Sequence, residues 1–314
     1  MGIFYSILES VGALLGLGAL GFYIIGKRIM PGNVLGFLSP LVLDIALPSL
    51  IFVSIVKNFT LSEFPSWWQV PLWWVFFTAI LIVLTTITMF VSDPRTRREF
   101  AASLFYQNGI FFPLAIISGL YGSDSPYLVT LFLFISFHPA LMFSTYHFFF
   151  PTRSEHKIDW RKIIHPVLIM TLIALFLRLY GVHTFIPNFL MSGLSMLGAM
   201  SLPLIMIILG GNIFVDFQEQ GGVQLLEVIK FVLAKNFFFP LVILGVLLIV
   251  RPPYPVALIM FLQSAVPPIS AIPILTKRQG RNSAITNQFI VASYLFLLIS
   301  LPIMFSLFAR YYPG

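Results

Sequence analysis

Gln107, Asn108, Gly109 and Pro113 stand in the middle of the apolar run ASLFYQNGIFFPLAIISGLYG, residues 102–122. A carboxamide pair, a glycine and a proline are poor choices for a helix that faces lipid. A second run carries a related set: QSAVPPISAIP holds Gln263, Ser264, Pro267, Pro268 and Pro273. Proline removes a backbone donor and clashes with the preceding turn, so both runs are expected to break. After each break a new half-helix starts, with unpaired N–H groups and the positive end of its dipole. Pro113 and Pro268 suit the first turns of those half-helices. Two such N-termini facing each other make an anion site that needs no Lys or Arg. Asn108, beside Gly109 at the break, and Gln107, Gln263 and Ser264 supply further hydrogen bonds, and a carboxylate is the natural guest. For Gln107 and Gln263 a plain interhelical hydrogen bond is the open alternative.

The elements that position these residues follow from composition. Of 314 residues 59% are hydrophobic and 9% are charged, and the mean hydropathy is +0.97. Soluble domains carry roughly 25% charged residues, and these apolar runs are continuous and not alternating, so the expected class is all-α and membrane-spanning. A span needs roughly 20 apolar residues. Ten candidates result, at about 5–26, 34–56, 67–92, 100–121, 126–150, 163–180, 189–214, 231–250, 255–276 and 283–308. Of 18 Lys and Arg, fourteen follow odd-numbered spans, among them Lys27, Arg28, Lys230, Lys235 and Arg281. The positive-inside rule then puts the 151–162 loop in the cytoplasm and both termini outside a cell membrane. The net charge of +7 is thereby read as topology and lipid contact, not nucleic-acid binding. The absence of cysteine excludes disulfides and thiolate chemistry. No phosphate loop, zinc motif or nucleophile elbow is present, so neither an enzyme nor a bound cofactor or metal is expected.

The halves echo each other. ALPSLIF (46–52) parallels SLPLIMI (201–207), and SLFYQNG (103–109) parallels IMFLQSA (259–265), at nearly equal offsets of about half the chain. Five spans separate each pair, so the second half runs the opposite way through the bilayer. The expected domains are a first five-helix repeat at 1–150, a linker at 151–162 and a second repeat at 163–314. Spans 4 and 9 are broken near the midplane with the breaks facing each other, the plan of a secondary transporter. Asp44 is read as a buried acid in span 2, either a coupling group or a hydrogen-bonded kink residue. His138 is a proton-relay candidate with a structural histidine as the commoner alternative. Asn287 and Gln288 are placed along the cavity behind the breaks. Gly210 and Gly211 are expected to permit close helix packing.

On LVLDIALPSLIF, QNGIFFPLAIISGLYGSDS, MLGAMSLPLIMIILGGNI and the segment from SAVPPISAIPILTKRQGRNS into span 10, the chain resembles the auxin efflux carrier family. The resemblance covers nearly the whole chain. It implies spans 4 and 9 crossing at their breaks, a scaffold of spans 1, 2, 6 and 7, and a mobile domain of spans 3–5 and 8–10. It further implies elevator-like export of an organic anion, such as an auxin-like aromatic acid or a malate- or malonate-like acid, often by a homodimer, here through scaffold helices. By similarity Asn108 is the crossover asparagine, and Pro113, Pro267 and Pro268 the crossover prolines. Phe111 and Phe112 depart from the small residues usual before the span-4 proline, which narrows the pocket or changes the substrate. The 151–162 loop is short, as in prokaryotic members. Two rival readings are a sodium-coupled symporter of the bile acid type, which would want an acid beside the crossover, and a sensor that keeps the fold without transport.

Overall fold

The computed structural model describes residues 2–150, 165–218 and 222–313; the expected linker at 151–162 lies outside them. Apart from one isolated backbone bridge, every regular element among these residues is helical. In chain order they are α1 (Gly2–Gly26), α2 (Val34–Asn58), α3 (Trp67–Val91), α4 (Arg97–Phe105), α5 (Phe111–Tyr121) and α6 (Pro126–Phe149). From residue 165 on come α7 (Pro166–Leu179), a short 3₁₀ helix (Val182–Phe185), α8 (Asn188–Val215), α9 (Leu225–Val250), α10 (Tyr254–Ala265), α11 (Ile272–Arg278) and α12 (Ser283–Tyr311). Helices α2, α3, α6, α8, α9 and α12 are long and apolar enough to cross a membrane. The Gly12–Gly26 part of α1, α5, α7 and α10 are apolar but shorter.

Helices α1, α2, α7 and α8 pack on one another. The approach of α1 to α8 reaches backbone contact: a Cβ on Gly210 would land on the Gly18 carbonyl, and one on Gly21 on the Ile207 carbonyl. Gly210, expected to permit close packing, does so on α8, and Gly21 does the same from α1. Gly198 meets the Leu50 backbone of α2 in the same way, with its Cβ position 2.9 Å from the Leu50 Cα. Across the molecule, Phe100 of α4, Phe231 of α9 and Phe289 of α12 form a buried ring triad with centroids 4.4–5.6 Å apart.

Two helices contain a widened π-helical turn, Leu41–Ala46 in α2 and Leu233–Phe238 in α9. Each lies just ahead of a proline, Pro48 and Pro240. A proline ring crowds the carbonyl four residues back and cannot donate to it; here those carbonyls belong to Asp44 and Asn236. The wider turn absorbs the clash without ending the helix.

One expectation about charge needs correction. Lys235 counts among the loop cations in the charge reading although the expected span 231–250 already encloses it; helix α9 begins at Leu225, so Lys235 is no loop residue. It lies ten residues into the helix with no exposed surface. The helix starts early because its charged residues are satisfied. Lys230 pairs with Glu227 at 2.7 Å, and Glu227 accepts hydrogen bonds from the Ser92 hydroxyl at 2.6 Å and the Asp93 N–H at 3.2 Å.

Candidate functional site

The interruption between α4 and α5 lies against the interruption between α10 and α11. Asn108 N–H donates to the Pro267 carbonyl at 2.8 Å, and Ile269 N–H donates to the Tyr106 carbonyl at 2.9 Å. Gln107 and Pro268 form the antiparallel bridge between these bonds. Open backbone in an apolar interior is costly unless its polar groups are paired, and each break here supplies partners for the other. Gly109 completes the junction. The Gln263 side chain donates from Nε2 to the Gly109 carbonyl at 2.6 Å, and a Cβ on Gly109 would collide with the same amide.

Asn108 is buried and its amide is committed on both sides. Its Oδ1 accepts from the N–H of Phe111, the first residue of α5, at 3.3 Å, and its Nδ2 donates to the Tyr294 hydroxyl at 3.2 Å. Tyr294 in turn stacks on Phe112, with ring centroids 5.1 Å apart and planes at 28°. Asn108 thus ties the start of α5 to α12. Pro113 occupies the first turn of α5, as its type predicts. Pro268 does not start a helix: it belongs to the bridge, and the first-turn proline of α11 is Pro273. Ser264 is turned away from the break, donating to its own helix at the Phe261 carbonyl at 2.6 Å. Gln107 Oε1 and Gln263 Oε1 are buried without a hydrogen-bond partner among the described residues.

Phe111 and Ser270, at the starts of the two second half-segments, line one cavity of about 70 Å³. Its far wall is Ser39 and Leu43 of α2 with Ile208 and Asn212 of α8. The cavity therefore lies between the paired breaks and the α2–α8 face, and polar groups come to it from Ser39, Asn212 and Ser270. A family model described as membrane transport protein matches residues 6–305. The chain belongs to that family, which is also that of the auxin efflux carriers. Comparison with curated proteins gives no match.

Behind the breaks this membrane transport protein carries a second polar group of residues, which sequence reasoning divided between a loop and a lone histidine. The His138 ring is buried against the backbone of Gln107, with Lys235 in its neighbourhood. His138 Nε2 and Lys235 Nζ are buried with no hydrogen-bond partner among the described residues, and the lysine nitrogen sits 5.5 Å from the Phe239 ring centroid. Asn236 fastens this turn to α12: Nδ2 donates to the Ser293 carbonyl and Ser300 Oγ, both at 3.1 Å, and Oδ1 accepts from Ser293 Oγ at 2.7 Å.

The remaining candidates fall elsewhere. Asp44 is not buried; it is exposed in the π-turn of α2, where the widened turn carries it to the outer face with Ile45. Gln288 is occupied as a clasp, accepting from Gln224 N–H at 3.0 Å and donating to the Gly222 carbonyl at 3.2 Å. Asn287 is buried with Oδ1 unpartnered among the described residues. Tyr294, Lys235 and Asn236 belong to this neighbourhood, and the sequence reading does not single them out as candidates. The polar pair Lys235-Asn236 inside an otherwise apolar run was the available signal; nothing local marks Tyr294.

Proposed function

We propose that the protein is a secondary transporter that exports a small organic anion, and that the anion's carboxylate binds where α5 begins, in the cavity bounded by Phe111, Ser270 and Asn212. The reading takes α4–α5 and α10–α11 as spans 4 and 9, crossing at mid-membrane in a ten-span inverted repeat. In it α1, α2, α7 and α8 are a fixed scaffold, and the rest slides against them as an elevator. The observation that carries it is the pairing of the two breaks, with the start of α5 fixed by Asn108 beside a cavity that Ser39, Asn212 and Ser270 reach. Helix N-termini favour anions through unpaired N–H groups and the dipole. Phe111 and the small cavity favour a short-chain mono- or dicarboxylate over a bulky aromatic acid.

Lys235 bears on the coupling. A buried lysine without a partner is costly to charge, so an anion arriving at the crossover would favour its protonated form. A sodium symporter would want an acid beside the crossover. Among the described residues no acidic side chain lines the cavity there, which supports the anion carrier over the sodium-coupled alternative. The purified protein should gain thermal stability with a short carboxylate such as malonate, because a ligand of the folded state alone raises its apparent stability. The same carboxylate should drive counterflow in proteoliposomes. Stabilisation without counterflow would instead fit a sensor, and no stabilisation by any carboxylate would sink the proposal.

A further inference from the structure

A second cavity, of about 430 Å³, lies in the seam between α1 and α8 on one side and α12 on the other. Gly18 and Gly210 are among its lining residues, as are Phe22, Phe112, Tyr294 and Leu298. No charged side chain lines it, and the Tyr294 hydroxyl is engaged by Asn108. The groove therefore offers a ligand almost nothing polar. Its rim residues Phe22, Phe217 and Leu295 are exposed, so it opens on the lipid-facing side. Its size falls within the roughly 300–1,000 Å³ of ligand pockets, and hydrocarbon in it regains dispersion contacts that an empty groove forfeits.

Two further facts say which hydrocarbon. Gly18 lies about 12 Å along the axis from the end of α1, which is the depth of an acyl chain in one leaflet of a core roughly 30 Å thick. Lys27 and Arg28 follow α1 directly and are exposed, about 8 Å beyond Phe22 along the same axis. We propose that this groove holds one acyl chain of an anionic phospholipid from the leaflet at that end, with the phosphate resting on Lys27 and Arg28. The chain would lie against the Phe112–Tyr294 stack that positions Asn108, so the occupant touches the machinery of the crossover without entering its cavity.

The test is native mass spectrometry of the full chain with phosphatidylglycerol or phosphatidylcholine of identical acyl chains. Each basic residue near an anionic surface is worth about fivefold, so the wild type should retain one phosphatidylglycerol with about a 25-fold preference. A Cβ on Gly18 meets the Met206 carbonyl at an ordinary 3.9 Å, so Gly18→Leu fills the groove without striking backbone. It should lower retention of both lipids at least tenfold, and Leu298→Trp should do the same from the α12 side if Gly18→Leu fails to fold. The Lys27→Gln/Arg28→Gln double variant should keep binding while its preference falls to near parity. Unchanged phosphatidylglycerol retention in both groove-filling variants would overturn the proposal. So would a full preference in the double variant, or displacement of phosphatidylglycerol by an equal concentration of free fatty acid.

Discussion

Two substitutions of Asn108 should part its structural role from the proposed binding of an anion. Asn108→Ala removes the acceptor for the Phe111 N–H and the donor to the Tyr294 hydroxyl. At roughly 0.5–1.5 kcal/mol for each neutral bond, the loss is about 1–3 kcal/mol of stability. Binding should weaken tenfold or more as the start of α5 loosens. Asn108→Asp keeps the same shape, and an ionised carboxylate accepts from both the Phe111 N–H and the Tyr294 hydroxyl. The helix dipole favours that ionised form. Thermal unfolding of Asn108→Asp should therefore stay close to wild type. A bound carboxylate roughly 6 Å away would meet a like charge, costing about 3 kcal/mol at an effective dielectric near 20, or around a hundredfold in affinity. The assay is isothermal titration with the carboxylate that stabilises the wild type most, alongside melting in the same detergent. If Asn108→Asp binds within threefold of wild type, the anion does not sit at the start of α5 and the site reasoning fails.

Three further expectations follow from the same geometry. Gly109→Ala should destabilise by about 1–3 kcal/mol through overpacking against the Gln263 amide, and Gln263→Ala in the same chain should recover part of it; equal losses in the single and double variants would show that the two do not touch. Lys235→Met should leave the melting temperature unchanged or raised, since replacing a buried charge with an apolar chain of similar volume is often neutral or stabilising, while counterflow is lost; full transport by this variant would remove the lysine from the mechanism. A reporter fused after Tyr312 should read as extracytoplasmic, and a cytoplasmic signal would mean that the span count or the charge reading is wrong.

The breaks were legible because Gly, Pro and carboxamides in an apolar run have few other uses. Pro113 was placed correctly for the reason given: its missing N–H costs nothing in a first turn. Pro268 was misplaced because the same missing N–H also suits a bridge, and a sequence does not say which carbonyl will face it. Ser264 failed for a similar reason, since a hydroxyl that bonds back three residues looks the same in sequence as one that faces a ligand. Lys235 was hidden by its neighbourhood. With Glu227 and Lys230 just upstream, a charge count groups Lys235 with the loop although the span encloses it, whereas the ion pair and the Ser92 contact let the helix begin before all three. The Asn108–Tyr294 pair joins residues 186 apart, and no periodicity reports a partnership at that range. Asp44 was read as buried from its depth in a span alone; depth says nothing about which way a side chain points.

The π-turn at Leu233–Phe238 amounts to one residue too many in a helix anchored near its start and within the turn itself. Below it, Glu227 is held to Ser92 and Asp93; within it, Asn236 is held to Ser293 and Ser300. Deleting one residue from the turn would restore a regular helix, but each residue is worth about 100° of rotation. Either Glu227 would swing away from its anchor or Lys235 and Asn236 would turn out toward lipid. The surplus residue therefore acts as a vernier between two fixed marks, and this helix should tolerate substitutions along its length far better than any change in how many residues it has.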